Sequence, residues 1–281
     1  MLGLGLSSGK SDFFQPIVIN PTLIASYDLN SGTGTGRSRS SLPTGWAVSA
    51  NGDFTLYGST VNDAMDVVPD SSSAGWFINT EGTASGSTGP NGAHAGGPDS
   101  LATTITSGAR STTNDNSDRY LYYEASGSGQ ASNDVRRHVI RTNELDFSSF
   151  TNITMTFWFH AHGLHFGNNR GVGVAATTNA TSASSAHQAG TGLGFTSDTA
   201  GGATIAYTDQ GGTSRNVVRI GDSGEVQDLQ DDDWIKATVD LSNAAGQSSV
   251  YIHFGMFTSH EASSNNFQQD LAIDSIAIIG S

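Results

Sequence analysis

One aspartate in an apolar strand needs a charge-compensating partner more clearly than any other residue in this sequence. Asp274 lies in the segment 270–280, where Leu271, Ile273 and Ile276 predict a strand that is buried on both faces. A buried carboxylate is unfavourable unless a partner compensates its charge. Asp274 therefore requires a metal ion, an arginine or a set of backbone amides.

A tryptophan and two histidines form a second candidate site. Trp158, His160 and His162 alternate along one predicted strand, so their side chains project from the same face. Two histidines at this spacing could chelate a transition metal, but such histidines are more commonly surface or groove residues. We predict that this face binds a ligand, and we do not predict a zinc site there.

The residue patterns of common enzymes are missing from this sequence. Glycoside hydrolysis needs two carboxylates about 5 to 10 Å apart, and the Glu-x-Asp-x-x-Glu string of glucanases does not occur. Glu225, Asp228 and the run 231–233 are most simply a solvated turn. We find no nucleophile elbow, phosphate-binding loop or dinucleotide fingerprint. The sequence predicts a protein without catalytic residues.

Charge and composition exclude further classes of function. The formal net charge is −14 and only Lys10 and Lys236 are lysines, which disfavours nucleic acid as a partner. No apolar run is long enough to predict a membrane span. The absence of cysteine excludes disulfides and thiolate chemistry.

Short alternating segments dominate the chain and predict an all-β fold. Glycine, serine, threonine and asparagine fill the intervening segments, without helical periodicity. We predict a two-sheet antiparallel β-sandwich or jelly roll that forms one domain over residues 23–281. The predicted strands are 23–29, 46–57, 64–68, 74–78, 101–106, 119–125, 136–141, 152–162, 171–176, 203–208, 216–220, 234–241, 249–257 and 270–279.

Residues 1–22 are predicted to form an extended N-terminal arm. The start lacks the cationic region and apolar run of a secretory signal, which favours synthesis in a cytoplasm without export by that route. Its apolar strip has no partner of its own, so we predict an assembly anchor and a homo-oligomer. The alternative is that the arm packs on its own domain as an edge strand. The predicted anchor residues are Phe13, Phe14, Ile17 and Val18.

A series of motifs in order resembles the MAM domain over about 200 residues. His160 coincides with a histidine of that pattern. The matching pieces are Trp76, Glu81 to His94, Tyr120 to Ser126, Leu145 to Phe147, Thr156 to Gly163, Asp233-Trp-Ile and Asp270 to Ile276.

The resemblance implies a β-sandwich of the concanavalin-like jelly-roll group that serves adhesion and recognition without catalysis. It also implies a cation, of which calcium is the candidate, that ties the last strand to the first strand and to a turn; the matching positions are Asp28, Asn91, His94 and Asp274. The chain departs from the family in lacking its cysteines and in an insert from about 164 to 233.

The opening Met1-Leu-Gly-Leu-Gly-Leu is similar to the starts of many tailed-bacteriophage virion proteins. We therefore predict a virion structural protein of a tailed phage, as a capsid decoration, head fibre or tail-surface component. For such a protein, synthesis takes place in the host cytoplasm and the final location is the virion surface. Its predicted partners are capsid or tail proteins and, as a ligand, a host-surface glycan. A free glycan-binding module without a virion role is the alternative.

Overall fold

A computed structural model describes residues 21–32, 43–48, 55–56, 59–60, 75–83, 89–101, 109–124, 136–162, 171–178, 203–220, 233–258 and 270–281. These residues form strands and one 3-10 helix, Ser242–Ala244. The strands are β1 Thr22–Tyr27, β2 Trp46–Val48, β3 Thr55–Leu56, β4 Ser59–Thr60, β5 Gly75–Asn79, β6 Ala93–His94, β7 Arg110–Ser111, β8 Asn114–Asp115, β9 Tyr120–Glu124, β10 Arg136–Thr142, β11 Ile153–His162, β12 Gly171–Thr177, β13 Ile205–Thr208, β14 Ser214–Val217, β15 Arg219–Ile220, β16 Trp234–Asp240, β17 Tyr251–Thr258 and β18 Asp270–Gly280.

Two antiparallel sheets form the body of the protein. The larger sheet has nine strands in the order β14-β13-β16-β11-β18-β9-β5, and β1 and β7 pair with β18 and β16 beside this path. The smaller sheet has the order β15-β12-β17-β10-β2. Two short pairs, β3 with β4 and β6 with β8, lie outside both sheets.

The core lies between the two sheets. Alternate residues of β11 face it, among them Met155 and Phe157, and they meet Val174 and Phe254 of the smaller sheet. The rings of Phe157 and Phe254 pack edge to face at 5.5 Å. The predicted two-sheet antiparallel β-sandwich is therefore confirmed.

The two ends of the sandwich carry different parts of the chain. At the terminal end, β1 begins and β18 finishes, because Thr22 pairs with Gly280. At the opposite end, here called the distal end, β11 finishes and β18 begins, with His162 paired to Asp270. Four segments of the chain connect strands whose ends meet at the distal end. They are 125–135 between β9 and β10, 163–170 between β11 and β12, 221–232 between β15 and β16, and 259–269 between β17 and β18.

Most predicted strands agree with the structure to within a few residues. The predicted strand 64–68 lies outside the described residues, as do residues 102–106 of the predicted strand 101–106 and the arm residues Phe13, Phe14, Ile17 and Val18. β4, β6, β7 and β8 were not predicted, since each has only two residues. Among the described residues, no helix is long and apolar enough to cross a membrane.

Candidate functional site

Asp274 occupies an interruption in the strand ladder of β18. On one side, β9 pairs with Leu271 to Ile273 and β1 pairs with Ile276 to Gly280. Asp274 and Ser275 lie between these two partners. On the other side, the register with β11 shifts between Thr156 and Trp158, and Ser275 has a left-handed backbone with φ 52°. Such a bulge turns side chains away from regular sheet positions.

Two backbone amides bind the carboxylate of Asp274. The amide of His94 donates to Oδ2 over 2.9 Å, and the amide of Ser275 donates to Oδ1 over 2.6 Å. Asp274 is buried, with 2% exposure. Backbone amides are one of the three partners that the sequence leaves open for this carboxylate.

The surroundings of Asp274 are acidic. Burial raises the pKa of Asp274 well above its ordinary value of 3.8, and the charges of Asp118 and Asp28 raise it further, while the two amide hydrogen bonds lower it. Asn30 lies between those two aspartates, because its amide donates to Asp28 and its side chain donates to Asp118. The ends of β1 and the turn before β9 thus bring negative charge to the ladder interruption.

His94 connects the segment before β7 to the bulge. Its Nδ1 lies 3.1 Å from Ser275 Oγ and accepts a hydrogen bond from the Gly96 amide. An acceptor at Nδ1 assigns the ring proton of the neutral imidazole to Nε2. The ring stacks on Trp158 with centroids 3.9 Å apart. Burial lowers the pKa of His94 to about 4; Asp99 opposes this shift and Lys236 adds to it.

The outer face of the larger sheet carries a second buried cluster, here called the outer aromatic layer. Residues 89–101 and 112–118, the covering segment, lie over this face, and Trp234 Nε1 donates to Gly92 O and Asn114 Oδ1 in it. The cluster is separate from the core between the sheets. Its members are Ala93, Tyr120, Tyr122, Trp158, Trp234 and Ala272.

The structure corrects the environment expected for the predicted ligand face. Trp158, His160 and His162 do share one face, but they are buried, with exposures of 9%, 0% and 8%. The expectation of a surface or groove failed at Trp158 because His94 of the covering segment stacks on its ring, whereas the alternating pattern predicts that this face is exposed to solvent. Contact with a ligand through these three residues stays a prediction and would require that segment to move.

A buried ion pair fastens the covering segment to β16. Lys236 Nζ contacts Asp99 Oδ2, and both side chains have less than a tenth of their surface exposed. Lys236 is opposite Trp158 in the ladder, and Trp158 is opposite Asp274 on its other side. The sequence carries no clear signal for this pair, because Lys236 alternates with Ile235 and Ala237 and so falls on the face that such a strand usually exposes to solvent.

The four residues of the predicted calcium site converge in part. Asp274 and His94 are in contact through the backbone, and Asp28 lies near enough to affect the pKa of Asp274. Asn91 is half-buried in the covering segment. The His94 ring already contacts Ser275 and Gly96 through Nδ1 and stacks on Trp158. In the described part of the chain, no group of three or more histidine or acidic side chains is arranged to hold a metal, and the calcium site stays a prediction.

Comparisons with known proteins add little to this description. No protein-family model matches the sequence, and no curated protein matches it. Among solved structures, the chain is similar to the K1 cleaved adhesin domain of Lys-gingipain from Porphyromonas gingivalis W83, with a TM-score of 0.41 and 16% identity over 90% of this chain and 96% of that chain. A TM-score of this size supports no inference about function. The resemblance to MAM domains therefore stays a prediction.

Proposed function

We propose that this chain is a virion surface protein of a tailed phage, anchored through the N-terminal arm of residues 1–22 and displaying a non-catalytic recognition sandwich. The opposed ends of the sandwich carry this proposal. Residues 1–20 join β1 at the terminal end, where Thr22 pairs with Gly280. The eleven residues of β18 separate that end from the distal end by roughly 35 Å.

The distal end is the proposed recognition surface. Its four joining segments are rich in serine, asparagine, glutamine and aspartate, and they contain few apolar residues. Binding residues of sandwich proteins commonly lie on loops that a rigid scaffold positions. Amide and hydroxyl groups of this kind suit hydrogen bonding to a glycan, so we propose a host-surface carbohydrate as the ligand.

The buried polar residues support a structural role in place of a catalytic one. Ser275 and His94 form a hydrogen bond, but both are buried and the imidazole stacks on Trp158. A substrate would have to displace the covering segment to reach that hydroxyl. We propose that the pair fixes the covering segment and that the protein does not turn over a substrate.

The anchor is tested by deleting residues 1–20, which leaves β1 intact. The deleted protein should keep its melting temperature but fail to enter virions of the phage that encodes it. A matched variant carrying alanines at Asn265 and Asn266 in segment 259–269 should enter virions normally and bind host cells less. Unimpaired entry of the deleted protein into virions would disprove the anchor.

A free glycan-binding module is the second candidate, because the distal segments alone would serve it. Under that alternative, the intact protein binds a glycan array equally well with or without residues 1–20, and it is missing from purified virions. Glycan binding together with virion incorporation would support the first proposal, since display and binding are compatible.

A further inference from the structure

β1 presents an open edge of the larger sheet. It pairs with β18 on one side and with no other strand among the described residues. Thr22, Leu23 and Ser26 are exposed, whereas β18 is buried along its whole length. Leu23 retains 37% exposure and is one of only two exposed large apolar side chains in the described part of the chain.

The edge of β1 lacks most features that prevent a further strand from adding. Thr22 to Tyr27 contains neither a charge nor a proline, and a register shift between Leu23 and Ala25 is its one irregularity. By contrast, the edge strand β14 carries Arg215, which pairs with Asp209 at 2.7 Å. An uncharged edge with free amides and carbonyls is a template for another strand.

The chain itself contains a suitable strand directly before β1. Residues 17–19 read Ile-Val-Ile, and β-branched residues favour extended structure. They cannot easily fold back on their own β1, because Asn20 and Pro21 would form the two-residue turn. Proline at the second of these positions fits only a turn with a cis peptide bond.

We propose that residues 17–19 of one copy pair with the free edge of β1 in a second copy. The contact joins two different surfaces, so a rotation that closes on itself would build a ring. This inference rests on the proposed assembly role of the arm and adds the surface that receives it. Leu23 would be covered by the incoming strand.

Engineered cysteines test the exchange directly, since the natural chain contains no cysteine. Val18→Cys and Leu23→Cys are placed in two differently tagged full-length chains, which are co-expressed and mildly oxidised. We expect a disulfide between the two tags. Leu101→Cys replaces Leu23→Cys as the control, because Leu101 is the other exposed large apolar residue, at 47%, and should give no cross-link.

Both cysteines in one chain separate the two possible arrangements. Exchange predicts covalent oligomers, whereas a disulfide within a monomer would overturn the proposal by showing that the arm packs on its own domain. Leu23→Glu should weaken self-association at least tenfold in sedimentation, while Leu101→Glu should not. If no cysteine pair cross-links and the natural protein sediments as a monomer, the exchange is also overturned.

Cross-linking between copies tests the strand exchange separately from the virion-anchoring role of the arm. Loss of virion entry on deleting residues 1–20, without any cross-link between copies, would leave the anchor standing and remove the exchange. Cross-linking with normal virion entry of the deleted protein would do the reverse.

Discussion

The backbone amide of His94 donates a hydrogen bond to Asp274 Oδ2 over 2.9 Å, although 180 positions separate the two residues. This bond joins the covering segment to the last strand at the point where β18 changes partner from β9 to β1. A regular strand would not present the Asp274 carboxylate to the His94 amide. The bulge at Ser275 and the burial of Asp274 are therefore parts of one arrangement.

Removing the Asp274 carboxylate should destabilise the fold. Asp274→Ala leaves two buried amides without an acceptor, which costs roughly 2 to 5 kcal/mol in the free energy of unfolding. Asp274→Asn should cost less, because its one side-chain oxygen still accepts one of the two bonds. Asp146→Asn is the control, since Asp146 is exposed and its replacement can still accept the bond from the Ser148 amide. Urea unfolding measures all three.

The same variants test the predicted calcium site. If calcium joins Asp28 and Asp274, chelator lowers the melting temperature of the natural protein and has no effect on Asp274→Ala. A natural melting curve that chelator does not move would mean that the two amides alone balance the carboxylate. In that case the calcium prediction is wrong while the predicted cost of Asp274→Ala is unchanged.

Acid should weaken the His94 contacts. The pKa of His94 is about 4 in the folded protein, against 6.5 ordinarily, so the unfolded chain takes up the proton first as the pH falls. Stability from this group is complete above pH 6.5 and is lost between 6.5 and 4, amounting to roughly 3 kcal/mol. Asp274 acts in the opposite direction, because its raised pKa stabilises the fold at low pH and that contribution is lost as pH rises.

Comparison with His94→Asn isolates the histidine. The asparagine oxygen can accept the bonds that His94 Nδ1 receives, but it does not titrate, and Asp274 remains in both proteins. The variant should be less stable at pH 7, because the Trp158 stack is lost, yet its stability should fall less from pH 6.5 to 4. Parallel pH profiles of the two proteins in urea unfolding would contradict the assigned role.

Removing one partner of the Asp99–Lys236 pair should destabilise the fold far more than replacing both partners. Asp99→Ala leaves a buried ammonium without its counter-charge, which costs roughly 3 to 5 kcal/mol. Replacing both residues, as Asp99→Leu with Lys236→Met, should recover most of that loss because no charge remains buried. The Arg215–Asp209 pair is the control: its arginine is more exposed, and Arg215→Ala should cost about 1 kcal/mol. A double variant no more stable than Asp99→Ala would contradict this account.

The sequence predicts the sandwich well because strand periodicity is local. Phe157 and Phe159 alternate with Trp158 and His160, and this alone identifies β11 and its core face. The covering segment has no such period, so nothing in the sequence shows that it buries Trp158. The demand of Asp274 for a partner can be read from its apolar neighbours, but the identity of that partner, the His94 amide, depends on a contact across most of the chain.

The Ser275→Gly variant should be more stable than the Ser275→Ala variant. Its left-handed backbone, φ 52°, disfavours every residue with a Cβ by about 1 kcal/mol or more relative to glycine. Ser275→Ala and Ser275→Gly both lose the hydroxyl that contacts His94, so the difference between them isolates the backbone effect. In an ordinary strand the order is reversed, because glycine loses more conformational entropy on folding. Ala277 lies two residues further along the same strand and pairs regularly with Thr156, so Ala277→Gly should destabilise. Thermal melts that rank alanine above glycine at both positions would show that Ser275 does not adopt the left-handed bulge.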